Sequence, residues 1–497
     1  MKIPLKLISL FLSVLLLISA LSGCGSINKN AVIYYDATVV PKTLDPQLAS
    51  NDTELLMIRN LFEGLMRVDE NGEIVNGVIS DYTFNNNVYT FNISETATWS
   101  DGQSVTAEDF VFAFKRAVDP ATKSPYASKL STILNAELIL SGNIDAENLG
   151  VSAKSPSVFE VKLARNDNEF LYKLTTAVCM PCRKDFFDSC EGQYGLSKTH
   201  LLTNGSYRLT KWNTQDFAAR LHRNDKYYGR FAAKNSAIFI SYNPDAENLE
   251  KLSKSSVDIS FIKMDQLDES ASLNLKNAQY QNVVWVMEFS EKLPFDLRRA
   301  FIHAIDRSSY AGDLGIGYNI SYSLFPPSLV EENMDYIGMH SYNLNEARKL
   351  FNSSLLDLPN QKLPSTTLIY YNDEDMKVPI NDIVGHWQNN LGAYINMQPS
   401  DSLSEIKTNL ANGTNTIAIY PVTITDKDPS VFCYQLGFDY ANTSIKTINA
   451  IQTNIMSHYK IVPIAFENSV IAYQSEIVDF NFGLGNGLID FAYVTKK

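Results

Sequence analysis

Two cysteines in the middle of the chain have the spacing of a redox or metal-binding motif. They stand in the sequence Cys179-Met-Pro-Cys182. Zinc would require a second pair of cysteines or histidines at matching spacing, and no such pair follows. We interpret the two residues as structural thiols. Disulfide pairing with Cys190 or Cys433 stays open, because four thiols allow three complete pairings.

Serine and lysine residues occur twice with the SxxK spacing of a nucleophilic serine site. The two matches are Ser260–Lys263 and Ser404–Lys407, and the companion SDN and KTG sequences are missing. HExxH, GxSxG, P-loop and GxGxxG motifs are also missing, and the six histidines are scattered. The sequence therefore predicts no enzyme, no cofactor and no metal. A carboxylate-based enzyme is the alternative, since sequence alone cannot show which carboxylates lie close together.

The first cysteine lies in a sequence typical of covalent lipid attachment. Lys2 and Lys6 precede an uncharged apolar run at 7–20, which ends in Leu21-Ser22-Gly23-Cys24. That tetrapeptide has the form of a bacterial lipobox, and the run is shorter than the roughly 20 apolar residues that span a bilayer. We expect a signal peptide over residues 1–23, a lipid on Cys24, and a polar tether over residues 24–30. The predicted location is the extracytoplasmic face of the cell membrane; an ordinary cleaved signal peptide is the alternative.

Composition excludes some classes of protein for the rest of the chain. The formal net charge is −13, which argues against a nucleic-acid partner because phosphate binding needs clustered Lys and Arg. Hydrophobic residues make up 45% and charged residues 20%, which are globular proportions. A chain of 497 residues is too long for one hydrophobic core, so two or three domains are expected.

The predicted helices and strands that must position any site follow neither an alternating βα order nor an all-β order, and the chain has no internal repeat. Apolar spacing predicts a helix over residues 54–66, and a capping box at Thr106–Asp109 predicts the start of another. Strands are predicted over 88–93 and 283–289, the second followed by a helix over 295–307. This order favours a mixed α/β or α+β fold in more than one lobe.

Several blocks of residues, in order along the chain, resemble the extracellular solute-binding family of ABC importers that includes the oligopeptide-binding proteins. The most specific block is Trp99-Ser-Asp-Gly-Gln103 followed by Val105-Thr-Ala-Glu-Asp109. The other blocks are Leu44–Gln47, Asn60–Met66, Phe114–Ala117, Ser124–Ser128, Asn204-Gly205, Arg223-Asn224, Tyr227–Gly229, Ala304–Arg307, Trp387, Leu391-Gly392 and Ile461–Pro463.

The resemblance implies a two-lobed fold like that of the periplasmic binding proteins, with a hinge and an extra subdomain in the first lobe. Lobe I would comprise residues 31–61, 173–284 and 465–497, and lobe II residues 285–464. The extra subdomain would comprise residues 62–172. The chain would cross between the lobes near Trp285 and near Ile464.

The resemblance also implies a peptide site between the lobes, where an extended ligand pairs its backbone with protein strands. The residues it assigns to ligand binding are Ser50, Asn51, Asp52, Tyr126, Trp285, Glu288, Lys377 and Asp426. Among them, Asp426 would hold the peptide amino group and Lys377 the carboxylate end. The stretch around Asp426 is shorter than in the family, and Pro421-Val422 stand where a Trp is usual.

The function that follows is capture of peptides by a monomeric lipoprotein and their delivery to an ABC permease in the membrane. Two alternatives stay open: the same body could bind a sugar, a metal chelate or haem, or it could serve as a peptide-sensing surface receptor. Between Thr443 and Ile461 the chain lacks a stretch that relatives carry. The effect of this shortening on the ligand cleft stays open.

Overall fold

The computed structural model describes residues 30–37, 39–242, 248–326, 337–424, 432, 433, 436, 438, 447–480, 482, 483 and 488–497. Its strands, in chain order, are β1 (Val32–Ala37), β2 (Met66–Val68), β3 (Ile74–Asn76), β4 (Ile79–Asn85), β5 (Val88–Ile93), β6 (Val151–Ser155), β7 (Val158–Lys162), β8 (Tyr207–Lys211), β9 (Ala218–Arg223), β10 (Ala237–Tyr242), β11 (Ile259–Ile262), β12 (Lys276–Phe289), β13 (Tyr318–Ile320), β14 (Thr367–Tyr371), β15 (Asn396–Ser400), β16 (Ile417–Thr423), β17 (Ile461–Tyr473), β18 (Ile477–Val478), β19 (Phe482–Gly483), β20 (Leu488–Ile489) and β21 (Thr495–Lys496).

The α-helices of the same residues are α1 (Asp52–Leu61), α2 (Ala107–Val118), α3 (Ala136–Leu140), α4 (Phe170–Lys173), α5 (Lys184–Ser189), α6 (Asn248–Ser253), α7 (Leu267–Ser272), α8 (Phe295–His303), α9 (Leu344–Leu356), α10 (Lys377–Leu391), α11 (Leu403–Ala411) and α12 (Ile448–Ser457). Short 3₁₀ helices lie at Ala127–Leu130, Ala146–Asn148, Ala177–Cys179, Lys198–His200, Met264–Gln266, Ile337–His340 and Pro359–Gln361.

One sheet runs through most of the molecule, in the order β15-β14-β16-β12-β17-β11-β1-β10-β9-β8, with β13 paired to β17. Its two longest strands, β12 and β17, are antiparallel neighbours near the middle. Residues 276–281 of β12 pair with residues 468–473 of β17, and this end of β17 also pairs with β11. Residues 283–289 of β12 pair with β16. These two strands therefore connect the β1–β11 half of the sheet to the β14–β16 half.

Separate apolar cores lie on the two halves of this sheet. The core around β1, β8, β9 and β10 continues into α1 and α2. In the other half, Trp285, Met287 and Phe289 of β12 pack with α8, α9 and α10. Val284 and Val286 point the opposite way, as strand alternation requires, and pack with α11 and α12. Two cores joined by two strands form two lobes.

A separate four-stranded antiparallel sheet, ordered β4-β5-β7-β6, lies within residues 79–162. Phe91 and Phe159 of this sheet and Phe110 of α2 are fully buried and share the core of the β1 lobe. The capping box predicted at the start of α2 is present: Asp109 Oδ2 accepts hydrogen bonds from the Thr106 N–H at 2.9 Å and from the Trp99 indole at 3.0 Å. The most specific sequence block thus fixes the entry of α2.

Two predicted helices end earlier than the apolar pattern indicated. The prediction of a helix to residue 66 was wrong, because α1 ends at Leu61. The Leu61 carbonyl accepts a hydrogen bond from the Gly205 N–H at 2.9 Å, and a Cβ on Gly205 would lie 2.6 Å from the Leu61 carbonyl carbon. This backbone contact occupies the place of a further helical turn. The helix predicted to residue 307 likewise ends at His303.

Candidate functional site

The backbone pairing of β12 and β17 changes register where the chain passes from one lobe to the other. Lys276–Gln281 pair with residues 473–468, and after a bulge Val283 pairs with Glu467. A second irregularity lies between Trp285 and Val286. Bulges bend and twist a strand locally, so the two connecting strands have a built-in flexure point at this crossing. The crossings predicted near Trp285 and Ile464 lie close to these irregularities.

An aromatic and acidic group lies beside the crossing. The indole Nε1 of Trp285 donates a hydrogen bond to Glu467 Oε2 at 3.1 Å, and the Trp285 ring is 1% exposed. The rings of Tyr318 and Tyr371 lie 6.4 and 6.2 Å from it, centroid to centroid. Tyr318 pairs directly with Glu467 across β13 and β17. We call Trp285, Tyr318, Tyr371 and Glu467 the crossing group.

Two further carboxylates, those of Asp373 and Asp375, act on Glu467 of the crossing group. Burial raises the pKa of Glu467, as does the charge of Asp373 and of Asp375, while hydrogen bonds from Trp285 and Tyr318 oppose the rise. The Tyr318 hydroxyl also donates to Asp373 Oδ1 at 3.5 Å. A partly buried set of carboxylates beside electron-rich rings attracts a cation.

The predicted ligand-pairing segment of lobe I forms the start of α1. Asn51 is the N-cap, and its side chain accepts a hydrogen bond from the Glu54 N–H at 3.0 Å. Glu54 Oε2 accepts in return from the N–H groups of Ser50 and Asn51 at 2.7 and 3.1 Å. The Tyr126 hydroxyl donates to the Ser50 carbonyl at 3.4 Å, so the structure brings these two predicted residues together. Asp52 occupies the first turn of α1, where burial raises its pKa to about 6.

The structure does not bring Glu288 to Trp285. The two residues lie on opposite faces of β12, with Trp285 in the core against α8–α10. Glu288 Oε2 accepts a hydrogen bond from the Tyr420 hydroxyl at 2.6 Å, and Lys460 Nζ lies 3.9 Å from Glu288 Oε1. A role for Glu288 in the ligand site stays a prediction.

Of the two residues predicted to bind the peptide ends, the structure describes Lys377 but not Asp426. Lys377 begins α10, and its Nζ donates to both carboxylate oxygens of Glu374 at 2.9 and 3.1 Å. This ion pair is exposed, with Lys377 at 46% of its side-chain area. Asp426 and the lipidation residue Cys24 lie outside the described residues.

The middle cysteines are buried thiols. No disulfide joins Cys179, Cys182 and Cys190, which are all described. Burial raises the pKa of Cys179 and of Cys182 to about 12, which favours the protonated thiol over the thiolate. The interpretation of Cys179 and Cys182 as structural thiols stays a prediction.

Sequence reasoning missed Glu467 and Tyr318. Glu467 is separated from Trp285 by 182 residues in the chain, so spacing alone could not have paired them. A signal was nevertheless present: Glu467 is the one charged residue within the apolar stretch Ile461–Tyr473. A lone carboxylate in a buried strand requires a hydrogen-bond donor nearby.

Among the described residues, no three or more metal-ligating side chains lie close enough together to hold an ion. No helix in the described part of the chain has the length and apolar character to cross a bilayer.

The family comparison decides the class of this protein. A family model described as "Bacterial extracellular solute-binding proteins, family 5 Middle" matches residues 73–444. The chain belongs to this family. The resemblance noted from the sequence blocks is thereby confirmed.

Curated relatives of this family-5 protein align with most of its length. It is 26% identical over 422 residues to the periplasmic oligopeptide-binding protein OppA of Salmonella typhimurium, covering 81% of this chain and 76% of the relative. It is 26% identical over 385 residues to the oligopeptide-binding protein OppA of Bacillus subtilis, covering 73% and 69%.

A solved structure shows the same fold as this family-5 protein. Listeria monocytogenes OppA bound to peptide superposes with a TM-score of 0.80 at 19% identity, covering 95% of this chain and 100% of that one. The predicted mixed α/β, two-lobed binding-protein fold is confirmed.

Proposed function

We propose that this family-5 protein captures extended peptides between its two lobes and delivers them to the membrane permease of an ABC importer. The observation that carries the proposal is the pair of long strands β12 and β17, which join the lobes and bulge at the crossing. Such a joint permits the hinge motion by which two lobes close on a ligand. The oligopeptide-binding names of the relatives that cover 81% and 73% of the chain favour peptide as the cargo.

Peptide capture requires backbone partners and counter-charges, and candidates for both are available. The N–H groups of Ser50 and Asn51 already donate to Glu54, but the Ser50 carbonyl near Tyr126 has a second lone pair that can accept from a peptide N–H. Glu467 of the crossing group and the neighbouring Asp373 offer carboxylates for an ammonium group, alongside the predicted role of Asp426. Lys377 is the proposed partner of the peptide carboxylate. An enclosed charge without such a partner would lose affinity through desolvation.

The remaining proposals concern organisation and location. We assign residues 31–61, 173–284 and 465–497 to lobe I, 62–172 to its extra subdomain and 285–464 to lobe II. The protein acts without catalysis, as a monomer. After removal of residues 1–23 it is held at the extracytoplasmic face of the cell membrane by a lipid on Cys24.

Native mass spectrometry of gently purified protein tests the cargo. We expect a set of adduct masses that fit peptides of several sequences, because backbone pairing ignores side chains. A single adduct with the mass of a sugar, a metal chelate or haem would contradict the proposal. Proteins with the substitutions Cys24→Ala and Cys190→Ala test the anchor: only the first should move the protein out of the membrane fraction.

A further inference from the structure

The strands β1, β10, β9 and β8 of lobe I are neighbours in the main sheet, and one of their two faces is partly exposed. Alternate residues such as Ile33, Leu221 and Ile238 point to the other face, into the core of lobe I, and are fully buried. The residues between them point outward. We call the following outward residues the open sheet face: Tyr34, Arg208, Lys211, Arg220, His222 and Phe239.

Basic and aromatic side chains are neighbours on the open sheet face. Tyr34 pairs with Phe239 across β1 and β10, and Phe239 pairs with Arg220 across β10 and β9. The Arg220 guanidinium carbon lies 4.8 Å from the Phe239 ring centroid, and the Tyr34 ring meets Phe239 edge-on with centroids 5.3 Å apart. Arg208 pairs with His222 across β8 and β9. Tyr34 is 42% exposed, so this surface presents a ring as well as charges to its surroundings.

The positive charges of the open sheet face have no carboxylate partners. Arg208, Lys211 and Arg220 are exposed, and none of them forms an ion pair with another described residue. Asp36 is the only acidic residue within the four strands. It is 3% exposed, and Lys251 Nζ lies 2.6 Å from its Oδ2. In a chain of net charge −13, this face is therefore a local basic surface.

The proposed membrane tether reaches lobe I beside the open sheet face. The Asn30 carbonyl accepts a hydrogen bond from the Ser236 hydroxyl at 2.9 Å, and β1 begins at Val32. Six residues separate Cys24 from Asn30, so even fully extended they span at most about 20 Å. Arg208 is on the fourth strand counted from β1, about 15 Å away at the usual strand spacing. A lipid on Cys24 would therefore keep the open sheet face within reach of the membrane surface.

Anionic phospholipid headgroups match this surface in charge and in chemistry. Guanidinium and ammonium groups bind phosphate oxygens, and tyrosine rings are enriched at the headgroup level of membranes. Attraction between exposed charges is screened beyond about 8 Å at physiological ionic strength, so the charges must be held near the lipid to act. The tether provides that proximity for the membrane, which favours a lipid surface over a soluble partner.

We propose that the open sheet face docks on an anionic phospholipid surface, so that lobe I lies against the membrane. This inference rests on the proposed lipid anchor at Cys24. Arg208, Lys211 and Arg220 bind the headgroup phosphates, and Tyr34 packs among the headgroups. Lobe II contributes none of these residues and stays free to move toward lobe I when the lobes close.

Fluorescence quenching on vesicles tests the proposal, with a histidine tag in place of residues 1–24 and a nickel-chelating lipid to hold the protein. A fluorophore on Thr210→Cys, in β8 far from the tether, reports approach to nitroxide-labelled headgroups; the other cysteines of the body, Cys179, Cys182, Cys190 and Cys433, are buried. We expect roughly twofold or stronger quenching when phosphatidylglycerol is added to phosphatidylcholine, and its loss in about 0.5 M salt. The same fluorophore on Asn352→Cys, exposed on α9, should show neither effect.

Paired charge variants decide whether the open sheet face causes the approach. Arg208→Gln with Arg220→Gln should abolish the phosphatidylglycerol-dependent quenching. Lys349→Gln with Lys362→Gln removes the same charge from exposed positions of lobe II and should leave the quenching intact. Equal quenching on both kinds of vesicle, or quenching that survives in the arginine variant, would overturn the proposal.

Two further readouts separate this proposal from the others. An arginine variant that keeps its quenching but loses peptide import by cells would assign the open sheet face to the permease and overturn docking on lipid. Because the tag replaces the lipid, the vesicle result does not depend on whether Cys24 is lipidated. Peptide affinity in solution should be the same in the arginine variant as in the natural chain, so a failure here leaves the peptide proposal standing.

Discussion

The Trp285 indole donates a 3.1 Å hydrogen bond to Glu467 and thereby ties together the two strands that connect the lobes. Glu467 pairs with Val283 and Trp285 with Ala465, so the two side chains are diagonal neighbours on one face of the β12–β17 ladder. The bond lies within a few residues of the bulge at Gln281–Val283. Opening and closing of the lobes must therefore flex the chain next to a partly buried, hydrogen-bonded carboxylate.

Replacing Trp285 by Phe should destabilise the protein in a pH-dependent way. The ring volume is largely kept, but Glu467 loses its indole donor, so its already raised pKa should rise further. We expect the free energy of unfolding to fall by about 1–3 kcal/mol at neutral pH. The loss should shrink in acid, where Glu467 is protonated. Urea unfolding followed by circular dichroism measures both values.

The matched control for this substitution is Trp212→Phe. Trp212 is 2% exposed, and its Nε1 has no hydrogen-bond partner among the described residues. Its replacement should cost apolar contact alone, with the same loss at every pH. Equal pH profiles for the two variants would contradict the role assigned to the Trp285–Glu467 bond.

Replacing Tyr126 by Phe tests whether this residue contacts the ligand or is an ordinary buried aromatic. The hydroxyl donates a long bond to Ser50, so its removal should change the free energy of unfolding little. If Tyr126 contacts peptide, affinity should fall by about two- to tenfold. Calorimetric titration with a peptide mixture measures this.

Tyr207→Phe is the control for the tyrosine experiment. The Tyr207 hydroxyl donates to the Phe491 carbonyl at 2.9 Å in the core of lobe I. This variant should lose about 1 kcal/mol of stability and keep its peptide affinity. A Tyr126→Phe protein that loses stability but no affinity would remove Tyr126 from the site.

Ionisation of Asp52 should lower the free energy of unfolding as the pH rises. Burial raises its pKa from 3.8 to about 6 in the folded chain. Between these values the folded state binds the extra proton, so the free energy of unfolding falls as Asp52 ionises. Asp52→Asn should therefore be more stable than the natural chain at neutral pH, with the difference vanishing near the lower value. Asp313→Asn, at an exposed position, serves as the control.

A peptide with a free amino terminus can show whether Asp426 or Glu467 binds the peptide amino group. Asp426→Ala should weaken binding of a peptide with a free amino terminus more than tenfold, because an enclosed ammonium loses its partner. An acetylated peptide should be insensitive to the substitution. If Glu467→Gln produces this selective loss and Asp426→Ala does not, the amino group lies at the crossing group instead.

Gly317, in the proposed lobe II, should resist substitution because it lies against Met264 of the proposed lobe I. Its φ is +99°, and a Cβ there would lie 2.7 Å from Met264 Cβ, just beyond β11. Gly317→Ala should weaken peptide binding by opposing this contact, and small-angle scattering should show a larger radius of gyration. Gly312→Ala has open space around the added methyl group and should behave as the natural chain. Unchanged scattering and affinity in both variants would contradict an interlobe role for Gly317.

The local elements were predictable from the sequence because short-range patterns determine them. The capping box at Thr106–Asp109 satisfies helix N–H groups within four residues, and alternating apolar residues placed the strand at 283–289. The ordered blocks around Trp99 and Asp109 also sufficed to identify the family, which the match over residues 73–444 confirmed.

Only the tertiary structure decided which side chains meet. The Trp285–Glu467 bond joins residues 182 apart, and the end of α1 depends on a backbone contact with Gly205. Strand alternation fixes that Trp285 and Glu288 point to opposite faces of β12, but only the packed lobe shows which helices cover each face. Sequence determines local hydrogen bonding, whereas the partners of a buried charge are set by chain segments that only folding brings together.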